Sequence, residues 1–266
     1  MTRAPKKSPT ACSIASDSPD VRYLIISDIH ANLEALDAVL EHADGLWDQS
    51  LVLGDLVGYG ADPRPVIARV QALGPVAIIR GNHDKVACGI DDAREFNNVA
   101  RIAAGWTAAQ LSDDERDYLR ALPKGPTEIN DRVEICHGAP FDEDHYIFDA
   151  GDARRALIDA TRALCLFGHT HLPVVFRRVD DAYSGGTPDP DSETVVKLQR
   201  GAKYLINPGS VGQPRDGDAR AGYAILDDDT QELTMVRVPY PVEEAQAKIL
   251  AAGLPPSLAN RLALGR

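Results

Sequence analysis

Five of the chain's seven histidines, with three aspartates and an asparagine, fall directly behind apolar runs. Asp28 and His30 follow VRYLIIS (21–27), and Asp55 follows SLVLG (50–54). Asn82, His83 and Asp84 follow VAIIRG (76–81), His137 follows RVEIC, and His169 and His171 follow ALCLFG (163–168). Imidazole, carboxylate and amide groups without a thiolate among them suit hard to borderline divalent ions: Mn, Fe, Co, Ni or Zn. A helix N-terminus accounts for Asp28 or Asn32 taken singly, but not for His30 beside them. A lone histidine is most simply a satisfied core residue. Five at the same kind of position are better explained by a metal site. In extended backbone residues i and i+2 share a side. Asp28 with His30, and His169 with His171, can then each face one cavity. Seven candidate ligands are too many for one zinc-like ion. They suit two ions bridged by a carboxylate, an arrangement common in phosphoester hydrolysis, with the metals roughly 3.5–4 Å apart.

The elements that must position these groups are legible as apolar runs of strand length. KYLINPG (203–209) joins those above, and VVFRRV (174–179), TVVKLQ (194–199), GYAILD (222–227) and ELTMVRVPY (232–240) make the second half β-rich. Most of the runs that carry the polar groups are continuous, as in strands covered on both faces. Leu33, Leu36, Leu40 and Ala43 recur at helical spacing, as do Val66, Ile67, Val70 and Leu73. Ser112 and Glu115 form a capping-box pattern, and 149–163 and 242–252 read as helices. Strand–helix alternation followed by strands predicts a layered α/β domain with two sheets. In open α/β sheets ligands bind at the carboxyl ends of the strands, which is where the polar groups gather. The Gly/Pro/Asp-rich stretch 180–193 reads as a mobile hairpin connection.

Composition narrows the function classes. The chain has 266 residues, 44% hydrophobic and 26% charged, with a net charge of −12. That charge opposes sequence-independent nucleic-acid binding, which needs a basic surface. A small phosphorylated substrate responds to the local field and is not excluded. No apolar run is long enough to span a bilayer. Residues 1–20 read as a disordered polar tail without the apolar segment of a secretory signal, and 21–266 as one domain. Cys12, Cys88, Cys136 and Cys165 show no C-x-x-C spacing and read as buried small hydrophobes of a reduced compartment, the cytoplasm.

The order D-x-H, G-D, G-N-H-D, H-G and G-H-T-H resembles the calcineurin-like metallophosphoesterases over residues 21–240. LGDLVGYGADP, RGNHD, GHTHLP, NPGSVGQPRDGD and the C-terminal VEEAQAKILAAGLPPSLANRLALGR resemble the prokaryotic subgroup related to protein phosphatases and diadenosine tetraphosphatases. The resemblance implies a four-layer α-β-β-α sandwich of two mixed sheets flanked by helices. It implies that Asp28, His30 and His171 hold one metal, that Asn82, His137 and His169 hold a second, and that Asp55 bridges them. His83 then matches the catalytic histidine, oriented by Asp84. The implied function is a metal-dependent phosphodiesterase or phosphatase with two divalent ions (Mn2+, Fe2+/Fe3+, Zn2+, Ni2+ or Co2+). On that resemblance a water between the metals would lose a proton near neutral pH and attack phosphorus in line, with His83 the candidate to protonate the leaving alkoxide. The substrate would be a small phosphorylated molecule, with a nucleotide among the candidates.

Arg80, before GNHD, is a candidate phosphate clamp, because guanidinium pairs bidentately with phosphate oxygens; a surface salt bridge is the alternative. Asn207 in NPGS reads as a turn residue ahead of a pocket residue, and Arg215 and Asp216 are candidate specificity residues. His145 and Tyr146 lie in an acidic, aromatic loop, FDEDHYIF, read as partly packed surface ahead of a cover for the site. A non-catalytic interaction scaffold of the same fold is the competing function, and the intact ligand set and His83 weigh against it. A nuclease is weakened by the acidic charge.

Overall fold

Side-chain alternation along single strands decides the layering. In β1 (Arg22–Ile26), Leu24 and Ile26 face one apolar core while Tyr23 and Ile25 face another. The computed structural model describes residues 21–189 and 192–266. The expected tail 1–20, Cys12 and part of the 180–193 stretch lie outside them. In chain order the elements are β1, α1 (Leu33–His42), β2 (Gln49–Val52), α2 (Pro63–Leu73), β3 (Ala77–Ile78), α3 (Asn82–Ala87), α4 (Asn98–Gln110) and α5 (Asp113–Ala121). Then follow β4 (Thr127–Glu128), β5 (Val133–Ile135), α6 (Ala150–Asp159), β6 (Leu164–Leu166), β7 (Val174–Val179) and β8 (Ala182–Gly186). The last are β9 (Thr194–Lys197), β10 (Ala202–Asn207), β11 (Ala221–Asp227), β12 (Glu232–Val238), α7 (Val242–Ala251) and α8 (Pro256–Leu262).

Two six-stranded sheets result, ordered β3-β2-β1-β11-β12-β9 and β4-β5-β6-β10-β7-β8. Both are mixed: β1 is parallel to β2 and antiparallel to β11, and β10 is parallel to β6 and antiparallel to β7. One core lies between the first sheet and helices α1, α2, α4, α5, α7 and α8, with Leu36, Val66, Ala103, Leu119, Ile249 and Leu258 in it. A second fills the space between the sheets, with Ile25, Leu51, Ile135, Leu166 and Ile206. A third packs Ala153, Ala156 and Leu157 of α6 on the second sheet's outer face. The architecture is therefore the expected four-layer α-β-β-α sandwich, and strands covered on both faces explain the continuous apolar runs.

Local signals hold at several places. Asn32 caps α1 by accepting from the Ala35 N–H at 3.1 Å, and Ser112 caps α5 in the predicted box with Glu115. Cys88, Cys136 and Cys165 are buried and free. Other places differ from expectation. The segment 182–186 is not a loop but edge strand β8, paired antiparallel with β7. Its glycines gave no strand signal, yet Gly185 lies opposite Phe176, where a Cβ would stand 2.5 Å from the ring. Helix α4 was not predicted either; its alanine-rich sequence carries little apolar periodicity, although Asn97 caps it by accepting from the Ala100 N–H. Among the described residues no helix is long and apolar enough to cross a membrane.

Candidate metal centre

The strands end before the polar groups begin, and the backbone then turns left-handed. Asp28, His30, Asp55, His169 and His171 all have positive φ, between 49° and 66°. The reasoning from extended backbone is corrected here: these residues share a cavity because tight turns aim them inward, not because a strand alternates. Non-glycine residues rarely adopt this conformation, and it collects at functional sites where surrounding structure enforces it. Hydrogen bonds between turns do so here. The His30 N–H donates to the Asp55 carbonyl at 3.0 Å, and the Asp28 N–H to that of Gly54 at 3.1 Å. Glycine is required where turns meet. A Cβ on Gly81 would stand 2.1 Å from Asp55 Oδ1, and one on Gly168 2.1 Å from Ser27 Oγ.

Two groups of buried ligand atoms result, Asp28 with His30, Asp55 and His171, and Asp55 with His137 and His169. Asp55 belongs to both. Its Oδ1 accepts from the His83 N–H at 2.8 Å, which leaves Oδ2 3.5 Å from His30 Nε2 and 3.4 Å from His137 Nε2. Asn82 joins the second group, with Oδ1 3.3 Å from His137 Nε2. The first sheet supplies Asp28, His30, Asp55 and Asn82 from its strand ends, and the second supplies His137, His169 and His171.

The donor set fits cations. His30, His137 and His171 each place Nδ1 against a main-chain carbonyl, of Val57, Leu53 and Gln213, at 3.0, 2.7 and 2.7 Å. A carbonyl only accepts, so each Nδ1 carries a proton and each Nε2 is the atom left to ligate. His169 is turned the other way, with Nε2 donating to the Asp144 carbonyl at 3.0 Å and Nδ1 left as its ligand atom. His30 and His171 then face each other Nε2 to Nε2 at 3.0 Å, a juxtaposition of lone pairs that a shared cation resolves. Second partners of this kind fix ligating histidines in metal sites. Burial drives His30, His169 and His171 well below the ordinary histidine range. Burial also lowers His137, but the Asp55 carboxylate outweighs it and carries His137 up to about 10, so its Nε2 keeps a proton toward Asp55 until a cation displaces it. Burial and the neighbouring Asp55 push Asp28 up to about 6.

His83 stands beside the cage. Its ring packs against Tyr59 at 4.3 Å, Phe96 at 4.5 Å and His30 at 4.9 Å between centroids, and its buried Nδ1 has no partner among the described residues. Burial pushes it down to about 4. Asp84 does not touch that imidazole. Its carboxylate accepts from the Val57 and Gly81 N–H groups at 3.2 and 2.9 Å, because successive helical residues point in different directions. Asp84 thus fixes the two turns that frame His83, and burial with the nearby Asp55 charge pushes it up to about 7.

Arg80 spends one face of its guanidinium on an acid: Nε and Nη2 each donate to Glu143 at 3.1 Å, the salt bridge that was the alternative to a phosphate clamp. Asn207 braces the turns, donating to the Gly168 carbonyl at 2.7 Å and accepting from Gly209. Asp216 pairs with Arg237 and His145 with Asp152. The FDEDHYIF loop does lie against the site, with Tyr146 stacked on His169 at 3.7 Å and exposed Phe148 stacked on Tyr146. Tyr59, Gln213 and Arg261 were not singled out from the sequence. Tyr59, in GDLVGYG, had a signal in its nearness to Asp55, whereas Arg261 lies on α8 and only the packing of that helix brings it near.

The profile of the calcineurin-like phosphoesterase superfamily domain matches residues 21–231. An uncharacterised protein of Methanocaldococcus jannaschii is 34% identical over 255 residues, 91% of this chain and 97% of that protein. The structure of a metallophosphoesterase from Sphaerobacter thermophilus superposes with a TM-score of 0.82 at 42% identity, covering 92% of this chain and 100% of that one. A hypothetical protein from Pyrococcus horikoshii shares the fold, with a TM-score of 0.74 at 21% identity over 92% of this chain and 99% of its own.

Proposed function

The chain belongs to the calcineurin-like phosphoesterase superfamily, and from that membership we propose that it is a binuclear-metal-dependent hydrolase of small phosphate esters. The observation that carries this reading is Asp55, whose Oδ2 is common to two ligand groups. Asp28, His30 and His171 would hold one ion, Asn82, His137 and His169 the other, and Asp55 both. Two divalent ions would supply an activated water and neutralise charge on the phosphate. The chain's own residues do the remainder. The carbonyls of Val57, Leu53 and Gln213 hold three imidazoles in the ligating tautomer. Packed between Tyr59, Phe96 and His30, His83 is the group placed to carry a proton to the leaving oxygen, and a phosphate dianion beside it counters its depressed basicity. Tyr146 lies over His169 and limits water on that side.

The test is reconstitution with Mn, Fe, Co, Ni and Zn in turn. Each form is assayed on bis-p-nitrophenyl phosphate, cyclic nucleotides, dinucleoside polyphosphates and a phosphopeptide. Metal-dependent turnover of at least one substrate is expected. No turnover with any metal would overturn the reading and favour a scaffold.

A further inference from the structure

Two guanidinium groups, those of Arg215 and Arg261, lie beside the cage. Arg215 Nη2 donates to Gln213 Oε1 at 3.0 Å and to the Tyr59 hydroxyl at 3.4 Å, and its buried Nε has no partner among the described residues. Arg261 Nη1 donates to the same Gln213 oxygen at 3.2 Å, and its Nε to the main-chain oxygen of Arg266. Among the described residues neither arginine meets an aspartate or glutamate side chain. Arg80, Arg220 and Arg237 each do. The two cations bracket one ring, with Cζ atoms 5.7 and 6.0 Å from the Tyr59 centroid. That ring is the one packed against His83 and His30. The arrangement is also braced: the Gly217 N–H donates to the Gly265 carbonyl at 2.9 Å, tying the loop behind Arg215 to the chain end behind Arg261. Tyr59 also lines a cavity of about 650 Å³ together with Asn97, Asn98, Asn260 and Arg261.

Arg215, with an orphaned buried donor and only neutral acceptors beside a second guanidinium, is unfavourable unless an anion completes it. We propose that Arg215 and Arg261 form an anion subsite on the leaving-group side of the cage, which selects substrates carrying a second anionic group, phosphoryl or carboxylate, next to the scissile phosphate. The side follows from Tyr59, whose ring packs against His83, the proposed proton donor to the leaving oxygen, and carries both arginines. The assignment rests on the proposed phosphoesterase function and deepens it. A phosphoryl group adjacent to the reacting one, as in a polyphosphate chain, suits the two forks, since guanidinium binds phosphate oxygens bidentately.

The test is equilibrium binding without turnover. Metal-loaded full-length protein is titrated by calorimetry with methylphosphonate, methylenediphosphonate and phosphonoacetate, whose C–P bonds a phosphoesterase leaves intact. Metal content is measured before and after. Arg215→Gln and Arg261→Gln should each reduce the preference for a doubly anionic probe over methylphosphonate, by roughly 10- to 100-fold for Arg215. Methylphosphonate affinity, metal content and melting midpoint should stay unchanged. Arg215→Lys, which keeps the charge and loses the fork, should retain part of the preference and serves should the glutamine variant fail to fold. The diphosphonate and phosphonoacetate arms tell a phosphoryl partner from a carboxylate one. A preference that survives both glutamine substitutions, or one absent from the wild type, overturns the subsite. A protein that hydrolyses esters yet lacks the preference refutes the subsite alone, whereas one that hydrolyses none refutes the function beneath it.

Discussion

Asp55 has a different partner at each carboxylate oxygen, the His83 N–H at Oδ1 and the two ligand groups at Oδ2. Asp55→Asn keeps the shape and an acceptor for that N–H while removing the charge shared between the groups. Metal content measured by elemental analysis should fall from two ions per chain to one or fewer, with the circular dichroism spectrum unchanged. Two ions in the variant would refute the bridging role. His83 differs, because it packs beside the cage without entering either ligand group. His83→Gln should keep both metals and slow an alkyl ester by about 10²–10⁴, the usual contribution of a general acid, while a nitrophenyl ester suffers much less. Equal losses on both esters would make His83 a phosphate-binding group, and a lost metal would make it a ligand.

At the scale of elements, the cage depends on strand ends from the two sheets meeting closely. Gly168, after β6, lies so near β1's end that a Cβ would stand 2.1 Å from Ser27 Oγ and 2.8 Å from Asp28 Oδ2. Gly168→Ala should destabilise the protein by about 1–3 kcal/mol, the usual cost of overpacking, and lower metal content with it. Ser112→Ala provides the contrast. It removes the cap that accepts from the Glu115 N–H at the start of α5, remote from the ligands. The expected loss is about 1 kcal/mol, or roughly 2–4 °C in melting temperature for a chain of this size, with hydrolysis unaffected. An activity loss with Ser112→Ala would mean that α5 helps to place the site.

Across the whole molecule, ligands from both sheets converge, so metal binding would fasten one sheet to the other in addition to serving chemistry. A ligand that binds only the folded state stabilises it by about 2.7 kcal/mol at a free concentration one hundred times its Kd. For this chain that corresponds to a melting temperature roughly 5–10 °C higher with metal than after chelation, measured by calorimetry. Asp55→Asn should show a smaller difference. An equal shift in both would place the stabilising ion elsewhere.

The types of the site residues and their positions after apolar runs were legible in the sequence, as were the α/β layering, the Asn32 and Ser112 caps and most strands. These are local facts: periodicity, capping side chains and motif order are written over a few residues each. What the ligands do in space was not local. Left-handed turns at Asp28, His30, Asp55, His169 and His171 are enforced by hydrogen bonds to distant segments, so no extended-strand argument could foresee them. Arg80 looked available until Glu143, sixty-three residues on, engaged its fork. Asp84 adjoins His83 in sequence yet bonds Val57 and Gly81 instead. Arg261 reaches Gln213 and Tyr59 only because α7 and α8 fold back onto the first sheet's helical layer. Side-chain direction and long-range partnership depend on how remote segments pack, and that the tertiary structure alone decided.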